Sequence, residues 1–551
     1  DFNLHQGDAN ELAEFVDTNH GDFNTRKIFL DNYPQQSRPG GEISLETNKL
    51  IEEAFNSGAV AINYTGHGGE RLWAQEKIFD DLTISRLENK RLPLLVTATC
   101  EFGRQDDPAL ISGAELCMLR KEGGAISLVT TSRPVNAATN FLLNEAFYNA
   151  FFQKENNRYL TLGEIFRRTK NNSISGVSNR NFSLIGDPSL HLVMPPDSIK
   201  ITQVTTASGS STLKALSTVT VKGEVVNANG ETISAFNGIV EATLFDKETS
   251  FITLGNENQP YPYKQWFNAL FRGKATVKDG VFEFQFVVPK NIAYQVNEGK
   301  LSLYAYDTLN KAEATGFSQD FDIGSSELSP EVDLTPPTLT LFMGDTTFIN
   351  GGITNPNTTL MARLFDQHGI NISGYGIGNS IIGTLDDSQT YILNDFYEAD
   401  LDDFTRGTIS FPMTDLAPGK HTITVKAWDT YNNPVQAIVT FTVTDGESLI
   451  IESFGNFPNP FKTSTTLFFT HNRSGDDLQA SLVLYDFTGR VIETREINIP
   501  QSGYHVELAS ISWNIDGEKK QPTGLYFARL VVRSLANGSK NEQVTKLIMS
   551  N

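Results

Sequence analysis

Ala59-Val60-Ala61-Ile62-Asn63-Tyr64-Thr65-Gly66-His67-Gly68-Gly69, followed by Leu94-Leu95-Val96-Thr97-Ala98-Thr99-Cys100-Glu101-Phe102-Gly103, decides the reading of this chain. Each stretch is an apolar block without polar alternation, the pattern of a strand covered on both faces in a parallel sheet. Each then breaks into a polar turn, one bearing histidine and the other cysteine. Those are the two side chains best suited to make and use a thiolate near neutral pH. In open α/β sheets, ligands bind beyond the carboxyl ends of the strands, and there both residues fall.

Outward from this pair the rhythm continues. Ala9 to Val16 reads as a helix, Lys27 to Leu30 as a short strand, and Leu45 to Asn56 as a helix with Leu50, Ile51, Ala54 and Phe55 on one face. Helices are expected around Lys77 to Glu88, Gly113 to Lys121, Asn140 to Phe152 and Thr161 to Lys170, with a further buried strand at Ala125 to Val129. Such alternation predicts a doubly wound α/β domain over residues 1–195. From Met194-Pro195-Pro196 the helical period disappears. Short strands separated by Gly, Asn and Asp turns predict all-β, immunoglobulin-like sandwiches over 196–333, 334–446 and 447–551.

At 551 residues the chain is too long for one core. A net charge of −21 argues against a nucleic-acid partner, which needs a basic footprint. The two cysteines, Cys100 and Cys117, are too few for a disulfide-stapled scaffold. No apolar run is long enough for a spanning helix, and the opening at Asp1, without methionine or signal peptide, reads as a processed or truncated product.

The chemistry these residues support is covalent. His67 serves Cys100 as general base or imidazolium partner, Cys100 attacks a peptide carbonyl, and His67 protonates the leaving amine. The backbone N–H groups of Gly68 and Cys100 are the candidate oxyanion hole. Gly66, Gly68 and Gly69 allow a peptide to approach the backbone closely. Cys117, between Leu116 and Met118, reads as a packing residue. Asp80-Asp81, Asp106-Asp107 and the acidic segment Asp395 to Asp403 offer oxygen ligands of the kind calcium takes, without any EF-hand spacing; solvated loops are the plainer reading.

The longer pattern is similar to the gingipain family in the caspase–legumain–gingipain clan of cysteine peptidases. The resemblance rests on Leu30-Asp31 with Tyr33-Pro34-Gln35, Asn63 to Glu70 with Trp73, Leu92-Pro93-Leu94, Thr97 to Phe102 and Gly186-Asp187-Pro188-Ser189-Leu190. Within that family it is nearest to the sortases of the bacterial type IX secretion system. The resemblance implies a caspase-like fold, a His67/Cys100 dyad and no required cofactor, with structural calcium as a carried-over feature. It also implies an acid that orients the histidine, for which Glu70 is the local candidate, and a specificity pocket at Ser132 and Arg133. The partners it implies are C-terminal domains of exported cargo, a surface glycolipid as acyl acceptor and an outer-membrane β-barrel, at the bacterial cell surface. Ile451 to Phe461, Tyr485 to Gly489 and Pro522 to Tyr526 resemble the sorting domain of type IX cargo. A secreted protease that is itself cargo, and an inactive surface adhesin on the same fold, stay open as alternatives.

Overall fold

A computed structural model describes residues 2–39, 41–256, 258–327, 332–374, 378–513 and 521–550. Asp1 and Asn551, where the readings above begin and end, lie outside the described residues.

The N-terminal region is built on a four-stranded sheet of β1 (Ala61–Thr65), β2 (Leu94–Ala98), β3 (Ser127–Thr131) and β4 (Phe182–Ile185). β1, β2 and β3 run parallel in that order, and β4 pairs antiparallel with β3. β2 explains the uniformly apolar pattern. Leu94, Val96 and Ala98 face a core with helices α1 (Leu4–Asn19), α5 (Ala137–Phe151) and α6 (Leu162–Asn172). Leu95 faces the opposite core, with α2 (Leu45–Ser57), α3 (Asp81–Arg86) and α4 (Gly113–Met118). Two apolar faces require two helical layers, so the domain is the α/β sandwich expected.

Two local expectations fail. Lys27 to Leu30 forms no strand; Leu30–Asn32 is instead a 3-10 turn. Its side chains serve an interface: Lys27 Nζ donates to the Lys264 carbonyl at 2.7 Å, and the rings of Phe29 and Tyr263 meet edge-on at 4.8 Å. The helix expected over Lys77 to Glu88 is confined to Asp81–Arg86, because Phe79–Asp80 closes a small sheet with Gly68–Gly69 and Leu72–Trp73. Asp80 then caps the helix by accepting the Thr83 N–H.

The rest of the chain is all β. Strands such as Thr218–Val226 and Val281–Val287 bury alternate residues, the period of a sheet with one face on a core. A seven-stranded and a three-stranded sheet, formed by strands between Asp197 and Ser326, enclose Val221, Phe286 and Leu303. A four-stranded and a five-stranded sheet between Thr338 and Val443 enclose Leu360, Ile409 and Val425. Two four-stranded sheets between Ile451 and Met549 close over Phe469, Leu482 and Trp513.

The first β unit reaches back to the α/β domain through a hairpin of Thr249–Ile252 and Pro262–Gln265. Asp31 accepts the N–H groups of Gly255 and Asn256 at 2.9 and 2.7 Å, and Asn3 donates to the Gln259 carbonyl. The hairpin therefore holds the N-terminal end of α1.

Candidate active site

Parallel register fixes the relation between the histidine and the cysteine. Thr65 lies opposite Ala98, and each strand runs on by two residues to His67 and Cys100. Adjacent strands stand about 5 Å apart, so the two residues leave the sheet side by side at its carboxyl edge. Two contacts hold the turns together. Gly66 N–H donates to the Ala98 carbonyl, and a Cβ at Gly68 would come within 2.4 Å of Thr99 Oγ1. Only glycine allows that approach.

The histidine turn is braced from behind. The Tyr64 hydroxyl donates to the His67 carbonyl at 2.6 Å, and its ring stacks on buried Trp73 at 4.4 Å. Burial pushes the Tyr64 phenol up, so it stays a donor. Ala74 N–H donates to the same carbonyl at 2.8 Å. Antiparallel alternation then turns the Gly68 N–H away from its hairpin partner. Cys100 N–H likewise has no backbone acceptor among the described residues. Both candidate oxyanion donors are thus uncommitted.

His67 is exposed and Cys100 half-buried. The Cys100 thiol lies 3.7 Å from the Val135 carbonyl, in the turn before α5. Glu101 has φ of +59°, a left-handed turn directly after the thiol that redirects the chain away from the strand. Cys117 differs in every respect: it is fully buried on α4, and burial pushes its thiol up to about 12.

Glu70 is paired in the structure with an arginine. Its carboxylate meets the Arg104 guanidinium, which also pairs with Glu101 at 3.3 Å and Asp107 at 3.2 Å. Arg133 is likewise engaged, by Asp106 through two hydrogen bonds, and that pairing holds Asp106 below the usual carboxylate range. The Ser132 N–H and hydroxyl both donate to the Asn181 carbonyl. Ser132 and Arg133 thus flank the cysteine turn as a bridged rim.

The acidic groups considered for calcium are dispersed among other partners. Asp81 pairs with Arg71, Asp395 with Arg272, Asp402 accepts from Thr276, and Asp403 accepts from Thr405. Among the described residues they form no convergent group of three ligands.

One residue escaped the sequence reading. His5, on α1, brings its ring edge-on to that of His67, with centroids 4.8 Å apart. It is buried, its Nδ1 has no partner among the described residues, and burial first and His67 second hold its pKa below the usual value. The His5 imidazole thus abuts the exposed one. Its signal was a histidine sharing a buried helical face with Asp8, Leu12 and Val16, which reads as packing.

Residues 1–193 match peptidase family C25. Gingipain R1 of Porphyromonas gingivalis is 23% identical over 249 residues, which are 40% of this chain and 25% of that protein. The crystal structure of dimeric latent PorU from Porphyromonas gingivalis aligns with 78% of this chain and 41% of its own, at 31% identity and a TM-score of 0.32. The complex of Porphyromonas gingivalis RgpB pro- and mature domains aligns with 51% of this chain and 57% of its own, at 20% identity and a TM-score of 0.26. The chain thus spans about a quarter of the curated relative it matches.

Proposed function

We propose that this chain, whose residues 1–193 match peptidase family C25, cleaves and transfers peptides through Cys100 and His67. The single observation that carries the reading is the placement of both side chains at the carboxyl ends of adjacent parallel strands, beside unclaimed Gly68 and Cys100 N–H groups.

His67 takes the thiol proton, and the Cys100 sulfur attacks the scissile carbonyl carbon. The Gly68 and Cys100 N–H groups receive the oxyanion, and His67 returns its proton to the departing amine. A thioester on Cys100 remains. An incoming amine then attacks that thioester, gives its proton to His67 and releases the sulfur; water in its place yields a free carboxylate.

The substrate is the C-terminal sorting domain of type IX cargo, and the acceptor is the amine of a surface glycolipid. The enzyme works on the outer face of the bacterial outer membrane beside the β-barrel that delivers cargo. The sorting-domain-like tracts at Ile451 to Phe461, Tyr485 to Gly489 and Pro522 to Tyr526 support a place in that export route.

Mass spectrometry of a cargo protein's carboxyl terminus tests the reading, comparing wild-type cells with Cys100→Ala cells. A glycolipid-linked terminus that disappears in the variant is expected. A free terminus in wild-type cells would reduce the reading to proteolysis, and unchanged processing in the variant would overturn it.

A further inference from the structure

Away from the peptidase domain, three chain segments converge at one corner of the second β-sandwich. Asp333 lies in the segment that leads into the strand Thr338–Met343. Asp366 and His368 share the tight turn after Thr358–Phe365, closed by Gly369 N–H on the Asp366 carbonyl, with Gly369 at φ of +89°. Asp429 and Asn433 belong to the turn between Gly419–Trp428 and Pro434–Val443.

One ligand atom from each of Asp333, Asp366 and His368 lies within 4.8 Å of the other two. His368 Nδ1 and Asp333 Oδ2 are hydrogen-bonded at 2.8 Å, a contact that a cation between them would replace. Asp366 is only 4% exposed. One of its carboxylate oxygens accepts the His368 N–H at 2.8 Å. A carboxylate this deeply buried is costly unless a cation or proton joins it.

The surroundings fix the three ligands. Asp333 Oδ1 accepts the Thr335 N–H, the Asp333 carbonyl accepts from Asn433, and Asn433 also donates to fully buried Asp429. The Thr430 hydroxyl donates to the His368 carbonyl, and the Tyr431 ring lies 4.7 Å from the imidazole. Second-row partners of this kind orient metal-binding side chains.

We propose that Asp333, Asp366 and His368 bind a divalent cation of the zinc or manganese type, the class that accepts mixed imidazole and carboxylate ligands. The cation ties the segment carrying Asp333 to the sandwich that follows. That corner adjoins the preceding β unit, whose Lys290 N–H donates to the Thr430 carbonyl at 2.8 Å. Metal binding therefore stiffens the junction between the two β units.

The test uses the full chain in a Cys100→Ala background, which removes the half-buried thiol as a competing ligand. Chelated protein is loaded separately with Zn2+, Mn2+ or Ca2+, desalted, and its metal content measured with its melting temperature. Retention of about one Zn2+ or Mn2+ per chain with a raised melting temperature is expected. Asp366→Asn and His368→Gln should each weaken retention at least about tenfold, while circular dichroism shows them folded. Absence of retained Zn2+ and Mn2+, or retention unchanged in both variants, would overturn the site. Retention of Ca2+ alone, indifferent to His368→Gln, would overturn the nitrogen-containing ligand set.

Discussion

The rim of the α/β sheet and the β-sandwiches treat histidine in opposite ways. At the rim His67 is exposed, its ring meets another imidazole, and the nearby Gly68 and Cys100 N–H groups are uncommitted. In the sandwiches, His421 is clamped between Asp386 at 2.7 Å and the Ala417 carbonyl at 2.6 Å. Burial alone would lower the His421 pKa, but that carbonyl and carboxylate hold it above the usual value. His471 is fully buried and accepts the Arg473 N–H. A histidine that shuttles protons must exchange partners during turnover, whereas a structural one is stable because it does not. The cysteines repeat the contrast, with Cys100 beside an open turn and Cys117 sealed in a core.

The contrast breaks first at the thiol. Cys100→Ala should cut peptide cleavage by at least about 10^3-fold without moving the melting temperature; residual activity within tenfold would end the assignment. His67→Gln should cost roughly 10^2 to 10^4 in kcat, while His421→Gln leaves kcat unchanged.

Gly68→Ala sharpens the comparison through sterics, since the new methyl meets Thr99 Oγ1 and the Leu72 carbonyl. An activity loss is expected together with about 1–3 kcal/mol of destabilisation in a denaturant titration. Alkylation should distinguish the cysteines next. Iodoacetamide should modify Cys100 in the folded protein and Cys117 only after unfolding, read by peptide mass spectrometry.

A further effect lies on the acid side of the stability profile. Burial lowers the His471 pKa from 6.5 to about 4. The unfolded chain therefore binds a proton that the folded chain refuses, and stability falls as pH drops from 6.5 toward 4, by about 3 kcal/mol in total. His421, raised in the fold, contributes stability that is complete below pH 6.5 and is lost as pH rises through its folded value. Melting curves of His471→Phe between pH 4 and 7 should be flatter than those of the parent.

Much of the α/β domain was legible because its signals are local. The unbroken apolar runs at 61–65 and 94–98 demand cover on both faces, and the polar residues that end them mark the carboxyl edge. The strands of the sandwiches announced themselves by alternation, as at Val281–Val287. Lys27 to Leu30 misled because four residues with strand propensity form a strand only where an edge is available. Here the second unit's hairpin claims them instead.

Sequence by itself determined which residues carry reactive groups, where the two strands stop, and that Gly68 carries no side chain to block a close approach. Tertiary structure alone decided which groups meet. Glu70 and Arg133 carry charges whose reach spans several possible partners, and folding assigned them to Arg104 and Asp106. His5 arrives beside His67, and Asp333 beside Asp366 and His368, across separations that no local pattern encodes. Periodicity reports the face a residue takes within its own element, whereas a constellation depends on how elements dock, and docking is set by the packing of whole cores.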